Sequence, residues 1–113
     1  MTHPDLRSQA VMNVAAGEKI TGLWATPQIP DIGIYKLVMK QRVDGKFEWV
    51  HFQHRTDGTR KVLLRGEIDS KDRLAAVLEV TNSTLSRVYG VMMQAAEFSA
   101  TTIDGRKFDG PVQ

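Results

Sequence analysis

The chain has 113 residues, of which 42% are hydrophobic and 25% charged, and its formal net charge is +2. These values fit one globular domain over residues 1–113. The absence of cysteine excludes disulfides, thiolate catalysis and cysteine-bound zinc. No stretch approaches the roughly 18 apolar residues of a membrane span, and the first residues lack the segments of a secretion signal. We therefore expect a cytoplasmic protein without a membrane segment.

The first third of the chain predicts an arm followed by strands. Residues 1–17 have apolar side chains at helical spacing and end in a glycine, which fits an N-terminal arm or a short helix. Residues 18–26 are typical of a strand, and the two prolines of residues 27–31 predict an irregular loop. We expect residues 18–68 to form a β-meander.

The next strand defines one face of the sheet. Between residues 32 and 43, basic and apolar side chains alternate, which is the two-residue period of a half-buried strand. The pair Asp44-Gly45 then predicts a two-residue hairpin turn, which places Lys40 opposite Trp49. We name the side of the sheet that carries Lys36 and Lys40 the lysine face. In this register the aromatic side chains of the following strand share it.

The second turn, at residues 56–58, allows two registers that differ by one residue. A two-residue loop would place Lys61 and Arg65 among apolar side chains, where an unpaired buried charge costs several kcal/mol. We therefore predict a three-residue loop with left-handed Gly58. This loop sends Lys61 and Arg65 to the lysine face.

The last third of the chain predicts a helical region, residues 69–98, with an apolar stripe that continues through Ala96. Weak helix formers at residues 81–84 leave two alternatives, one kinked helix or two helices with Ser83 as the second cap. Residues 99–113 are a tail that is compatible with a late strand. The fold class is thus α+β, an antiparallel sheet of four or five strands with a C-terminal helix on one face.

Catalytic and metal-binding motifs are absent from the sequence. Three aspartates precede glycines and are explained by turns. His51 and His54 point to opposite faces of a strand and cannot chelate one ion. Since the glycines and serines also lack the spacing of phosphate loops or nucleophile elbows, we expect no enzymatic activity, no cofactor and no metal.

The charge distribution indicates an anionic partner. Residues 36–65 hold eight Lys or Arg and three Asp or Glu, whereas the rest of the chain is net acidic. Basic side chains bind phosphates, and exposed aromatic rings stack on unpaired bases. The sequence therefore predicts a small nucleic-acid-binding module for single-stranded DNA or RNA. Its predicted site comprises Lys36, Lys40, Arg42, Phe47, Trp49, His51, Arg55, Lys61 and Arg65.

Two other functions fit the same pattern. The first is an assembly or adaptor protein that acts through protein contacts. A homodimer is the expected form, since methionines such as Met92 and Met93 suit adaptable interfaces. The second is a domain with an apolar ligand pocket between sheet and helix, lined by Tyr35, Met39, Phe52 and Met92.

Overall fold

The structure is a computed structural model that describes residues 11–101, 105 and 107–110. An antiparallel sheet carries one long helix on one side, so the predicted α+β fold is confirmed. The strands are β1 (Lys19–Ala25), β2 (Ile34–Gln41), β3 (Phe47–His54), β4 (Arg60–Ile68), β5 (Gln94–Ala95), β6 (Phe98–Thr101) and β7 (Lys107–Gly110). A single 3-10 turn (Lys71–Arg73) leads into the helix α1 (Leu74–Tyr89).

The main sheet is a meander with a fifth strand added at one side. Its order is β4-β3-β2-β1-β5, with every neighbouring pair antiparallel. β4 and β5 are therefore its two edges. β6 and β7 pair with each other in a separate hairpin. Residues 11–16 are not helical, which fits an arm; residues 1–10 lie outside the described part of the chain.

One side of the sheet, which we name the helix face, is covered by α1. Leu74 and Leu85 of the helix pack against Leu37, Met39 and Trp49 of the central strands. The side chains of Leu37 and Met39 are almost completely buried. Burial of apolar surface at this layer is the main source of stability in the fold.

The lysine face is covered in part by the N-terminal segment. Val38, Val50 and Phe52 form a second buried cluster on this face, and Val11 and Met12 pack against it. Apolar side chains thus occupy the middle of the lysine face, and its cations lie toward the two ends of the strands.

The loop of the first hairpin has three residues, 43–45, and not the predicted two. Arg42 N donates to Lys46 O at 2.8 Å, which makes these residues the closing pair of the hairpin. Gly45 has a φ of 87°, the left-handed conformation that a type I turn with a bulge requires. The predicted two-residue turn is therefore wrong.

The longer loop shifts the register of β3 by one residue. Lys40 pairs with Glu48, and Trp49 pairs with Met39 on the helix face. The predicted pairing of Lys40 with Trp49 is wrong because it would have placed Glu48 on the apolar side of the sheet and left two large aromatic rings outside the core. Burying Phe47 or Trp49 stabilises the fold by about 2 kcal/mol or more.

The second hairpin has the predicted three-residue loop, which is confirmed. Arg55 N donates to Thr59 O at 2.8 Å, and Gly58 has a φ of 87°. Asp57 Oδ1 accepts hydrogen bonds from the backbone and the hydroxyl of Thr59. At this turn the side chain of Asp57 and the left-handed backbone of Gly58 both favour the three-residue loop.

A β-bulge that the sequence pattern did not predict interrupts β4. Val62 pairs with Phe52 and Leu64 pairs with His51, which leaves Leu63 as an extra residue. Because side chains alternate between faces, one extra residue reverses the faces of all positions beyond it.

The helix is continuous across residues 81–84 and ends earlier than predicted. Gly90 has a φ of 71° and its N–H caps the last turn of α1, so the predicted continuation to Ala96 is wrong. Asn82, a weak helix former, is used in a tertiary contact: its Oδ1 accepts a hydrogen bond of 2.7 Å from Met93 N. This contact fixes the chain that leads from the helix to β5.

Candidate nucleic-acid interface

The aromatic residues predicted to stack on bases lie on the helix face. Phe47 and Trp49 are buried beneath α1 in the main hydrophobic cluster. They are on the opposite side of the sheet from Lys36 and Lys40. The prediction that they form a basic and aromatic platform is therefore wrong, because burial of the rings decides the register of β3.

His51 also lies on the helix face, in a half-buried position. Leu37 and Leu64 are its partners on the two neighbouring strands, and its ring centroid is 6.0 Å from that of Tyr35. Its Nε2 is buried without a hydrogen-bond partner. Burial lowers the pKa of His51, since the charged imidazolium loses hydration there.

The predicted phosphate contact Lys40 has protein partners. Its Nζ donates to Glu18 Oε1 at 2.7 Å, forms an ion pair of 2.9 Å with Glu48 Oε2, and also donates to the backbone oxygen of Asn13. Burial opposes the charge of Lys40, but the hydrogen bonds from its ammonium to the two glutamates outweigh burial and raise its pKa. Lys40 thus joins the N-terminal segment to the sheet.

Arg42 is paired in the same region of the lysine face. Its guanidinium contacts Asp44 at 2.7 Å and Glu67 at 2.9 Å. These pairs link the loop of the first hairpin to β4. Charges at this end of the lysine face are therefore balanced within the protein.

The other end of the lysine face brings three basic residues together. Lys36 Nζ lies 3.4 Å from Nδ1 of His54, and Arg60 is directly opposite His54 in the sheet. We name these three residues the basic cluster. Because an ammonium only donates, His54 Nδ1 accepts, and the neutral ring carries its proton on Nε2.

Electrostatic repulsion acts among the members of the basic cluster. The pKa of Lys36 is lowered by burial and by the positive charge of Arg60. Burial, Lys36 and Arg60 lower the pKa of His54. Both shifts disfavour the charged forms, so an anion bound beside these side chains would reverse them.

The remaining predicted cations lie at three different places on the β3–β4 hairpin. Arg55 is exposed at the second hairpin. Lys61 pairs with Gln53 on the helix face, so its predicted place on the lysine face is wrong; the shifted register of β3 causes this. Arg65 pairs with Val50 and lies on the lysine face as predicted, where it lines a cleft of about 150 Å³.

His54 and Arg60 were not among the predicted site residues. The register of the first hairpin is the signal that would have identified them. Once Phe47 and Trp49 are assigned to the core, the even-numbered positions of β3 share a face with Lys36, which brings His54 to that face.

No protein-family model, curated protein or solved structure matches the chain. Within residues 11–101, 105 and 107–110, no helix is long and apolar enough to cross a membrane. No three potential metal ligands come together in this same part of the chain. The apolar pocket considered above is also wrong, since Phe52 lies on the lysine face and Tyr35 and Met39 lie on the helix face.

Proposed function

We propose that the protein is a small nucleic-acid-binding module that holds the phosphate backbone of a single strand at the basic cluster. The observation that carries this proposal is the placement of Lys36 and Arg60 beside His54. Arg60 contributes to the lowered pKa of Lys36, and both cations contribute to the lowered pKa of His54. A phosphate oxygen between them accepts hydrogen bonds from all three and removes their repulsion.

The arrangement of the surrounding cations favours a single strand over a duplex. Arg55 and Lys61 lie at the end and on the helix face of the β3–β4 hairpin, whereas Arg65 lies on the lysine face. A flexible strand can follow cations around the end of a hairpin. A duplex, which is stiff over this length, contacts one side only.

Base stacking has no part in this proposal. Phe47 and Trp49 are buried beneath α1, so affinity derives from phosphate contacts and depends strongly on salt. We expect little dependence on base sequence, because phosphate contacts carry no sequence information directly.

Fluorescence anisotropy of a labelled single-stranded oligonucleotide, titrated at several salt concentrations, tests the proposal. Arg60→Gln should weaken binding and reduce the slope of log K against log salt by about 0.7 for each phosphate that the variant no longer neutralises. Lys36→Gln should act in the same direction.

Lys46→Gln is the matched control. Lys46 is exposed at the opposite end of the sheet, and its replacement changes the net charge by the same amount as Arg60→Gln. Equal weakening by the two variants would indicate attraction by overall charge without a site. Absence of binding by the unmodified protein at low salt would refute the proposed function.

A further inference from the structure

The edge strand β4 has a pattern of backbone groups that can be read from the two hairpins. Arg55 and Thr59 form a hydrogen-bonded closing pair, as do Arg42 and Lys46. Along a strand, successive residues direct their backbone N–H and C=O groups to opposite sides. In β3 the odd-numbered residues therefore hydrogen-bond to β4 and the even-numbered residues hydrogen-bond to β2. The β4 residues opposite the even positions therefore direct their N–H and C=O groups outward. These residues are Arg60, Val62, Arg65 and Glu67.

Because of the bulge, the four residues with outward-facing backbone groups are arranged symmetrically about the centre of β4. Two copies of β4 that pair antiparallel about a point between Leu63 and Leu64 bring Arg60 opposite Glu67 and Val62 opposite Arg65. All four outward-facing residues then bond outward-facing residues of the second copy. The two bulges meet at the centre, so neither strand has an extra residue relative to the other.

The side chains in this register are complementary. Arg60 and Glu67 carry opposite charges and lie on the same face of the sheet, where a cross-strand ion pair is favourable. Glu67, which contacts Arg42 within its own chain, would then lie between two cations. Leu63 of each copy meets Leu64 of the other copy at the centre. A bulge and a lysine on an edge discourage pairing with an arbitrary strand, but here they suit pairing with an identical strand.

The apolar residues exposed near β4 would be buried together by such pairing. Leu63 and Leu64 are 40% and 59% exposed on the strand, and the pairing would cover both. Exposed apolar patches rimmed by charges mark interfaces between proteins.

We propose that two copies of this chain dimerise through β4, forming one continuous sheet with Leu63 and Leu64 of both copies at the two-fold axis. Arg60 belongs both to this register and to the basic cluster, so the two proposals are tested with different variants. The same axis leaves both lysine faces on one side of the dimer.

Light scattering after size exclusion, over a range of concentrations, tests the dimer. The unmodified protein should have twice the 12.6 kDa of the chain. Arg65→Pro removes an outward N–H without removing a bond to β3 and should raise the dissociation constant at least about tenfold. Arg65→Ala, which keeps the N–H, should remain dimeric. A monomeric unmodified protein, or a folded Arg65→Pro variant that dimerises as Arg65→Ala does, would overturn the proposal.

A second pair of variants keeps the test valid if the proline variant does not fold. Leu64→Lys should yield a monomer, whereas Val43→Lys, at an equally exposed apolar site in the first hairpin loop, should not change the mass. Dimerisation of Leu64→Lys with unchanged affinity would count against the interface.

A charge exchange tests the register. Arg60→Glu alone places two carboxylates opposite each other and should weaken the dimer, and adding Glu67→Arg should restore it. If the double variant is no stronger than the single one, the proposed register is wrong. Oligonucleotide binding measured on Lys36→Gln tests the basic cluster separately, since Lys36 lies on β2 and not on the β4 interface.

Discussion

The indole ring of Trp49 lies directly over Gly66, its partner on β4. A Cβ added to residue 66 would stand 2.5 Å from Cε2 of the indole and 2.7 Å from Nε1. The backbone of Gly66 does not require glycine, because its φ is not positive. The absence of a side chain at Gly66 therefore leaves the space that the indole ring of Trp49 occupies against β4.

Gly66→Ala should destabilise the fold by about 1–3 kcal/mol, the usual cost of forcing extra atoms into a packed core. Urea denaturation followed by tryptophan fluorescence measures this change. The double variant Gly66→Ala with Trp49→Phe is the matched control, because a smaller ring relieves the overlap. We expect the two changes to be less than additive; strict additivity would contradict the packing argument.

Lys40→Met should destabilise the protein by about 3 kcal/mol, since it leaves Glu18 and Glu48 without their common cation in a largely buried site. Arg42→Gln is the comparison, because its pairs are more exposed and surface ion pairs contribute at most about 1 kcal/mol. Thermal unfolding of both variants at neutral pH provides the measurement. Equal losses would show that burial of Lys40 has no special importance.

The pH dependence of stability provides a separate test of the Lys40 contacts. The hydrogen bond from Lys40 is the largest cause that lowers the pKa of Glu18 below the ordinary value of 4.5. Glu18 therefore stabilises the fold above about pH 4.5, and this stabilisation is lost as the pH falls through its lower folded pKa. In Lys40→Met the acid-dependent loss should be smaller. An unchanged acid profile would contradict the role assigned to this bond.

Stability should also fall on mild acidification because of His51. Its pKa in the folded state lies below the ordinary value of 6.5, so the unfolded chain binds more protons between these two values. Acidification from about pH 7.5 to about pH 5.5 should therefore favour unfolding. His51→Leu should reduce this effect, with little loss of stability at neutral pH because Nε2 has no partner to lose. His54, whose pKa is also lowered, accounts for the remainder.

Oligonucleotide binding should strengthen as the pH falls below about 6.5. His54 is held neutral by burial and by the charges of Lys36 and Arg60, and protonation adds a cation beside the phosphate. His54→Gln should flatten the pH dependence of the dissociation constant, whereas His51→Leu should preserve it. The reverse pattern would place the binding site on the helix face.

The two hairpins show which parts of the fold the sequence predicts. At Gly58 the choice of loop was based on what each register would bury, and the predicted loop is correct. At Gly45 the choice was based on turn preference alone, and the prediction is wrong by one residue. The register of the first hairpin is decided by the burial of Phe47 and Trp49 against distant parts of the chain, and the residues of the turn give no information about this burial.

The candidate site was less predictable than the fold because it depends on this register. Lys36 and Arg65 share the lysine face as predicted, but the aromatic residues and Lys61 do not. The bulge at Leu63 has no signal in the alternation of residues 60–68. Its position is seen only in the pairing of β4 with β3.

The position of β5 has a consequence for the order of folding. β1 to β4 pair with sequence neighbours through hairpins or a short loop, whereas β5 follows α1 in the chain and pairs with β1. A nascent chain that has emerged as far as Ile68 thus contains the full meander with two open edges. During synthesis, the edge of β1 is exposed to incorrect pairing until Gln94 and Ala95 arrive.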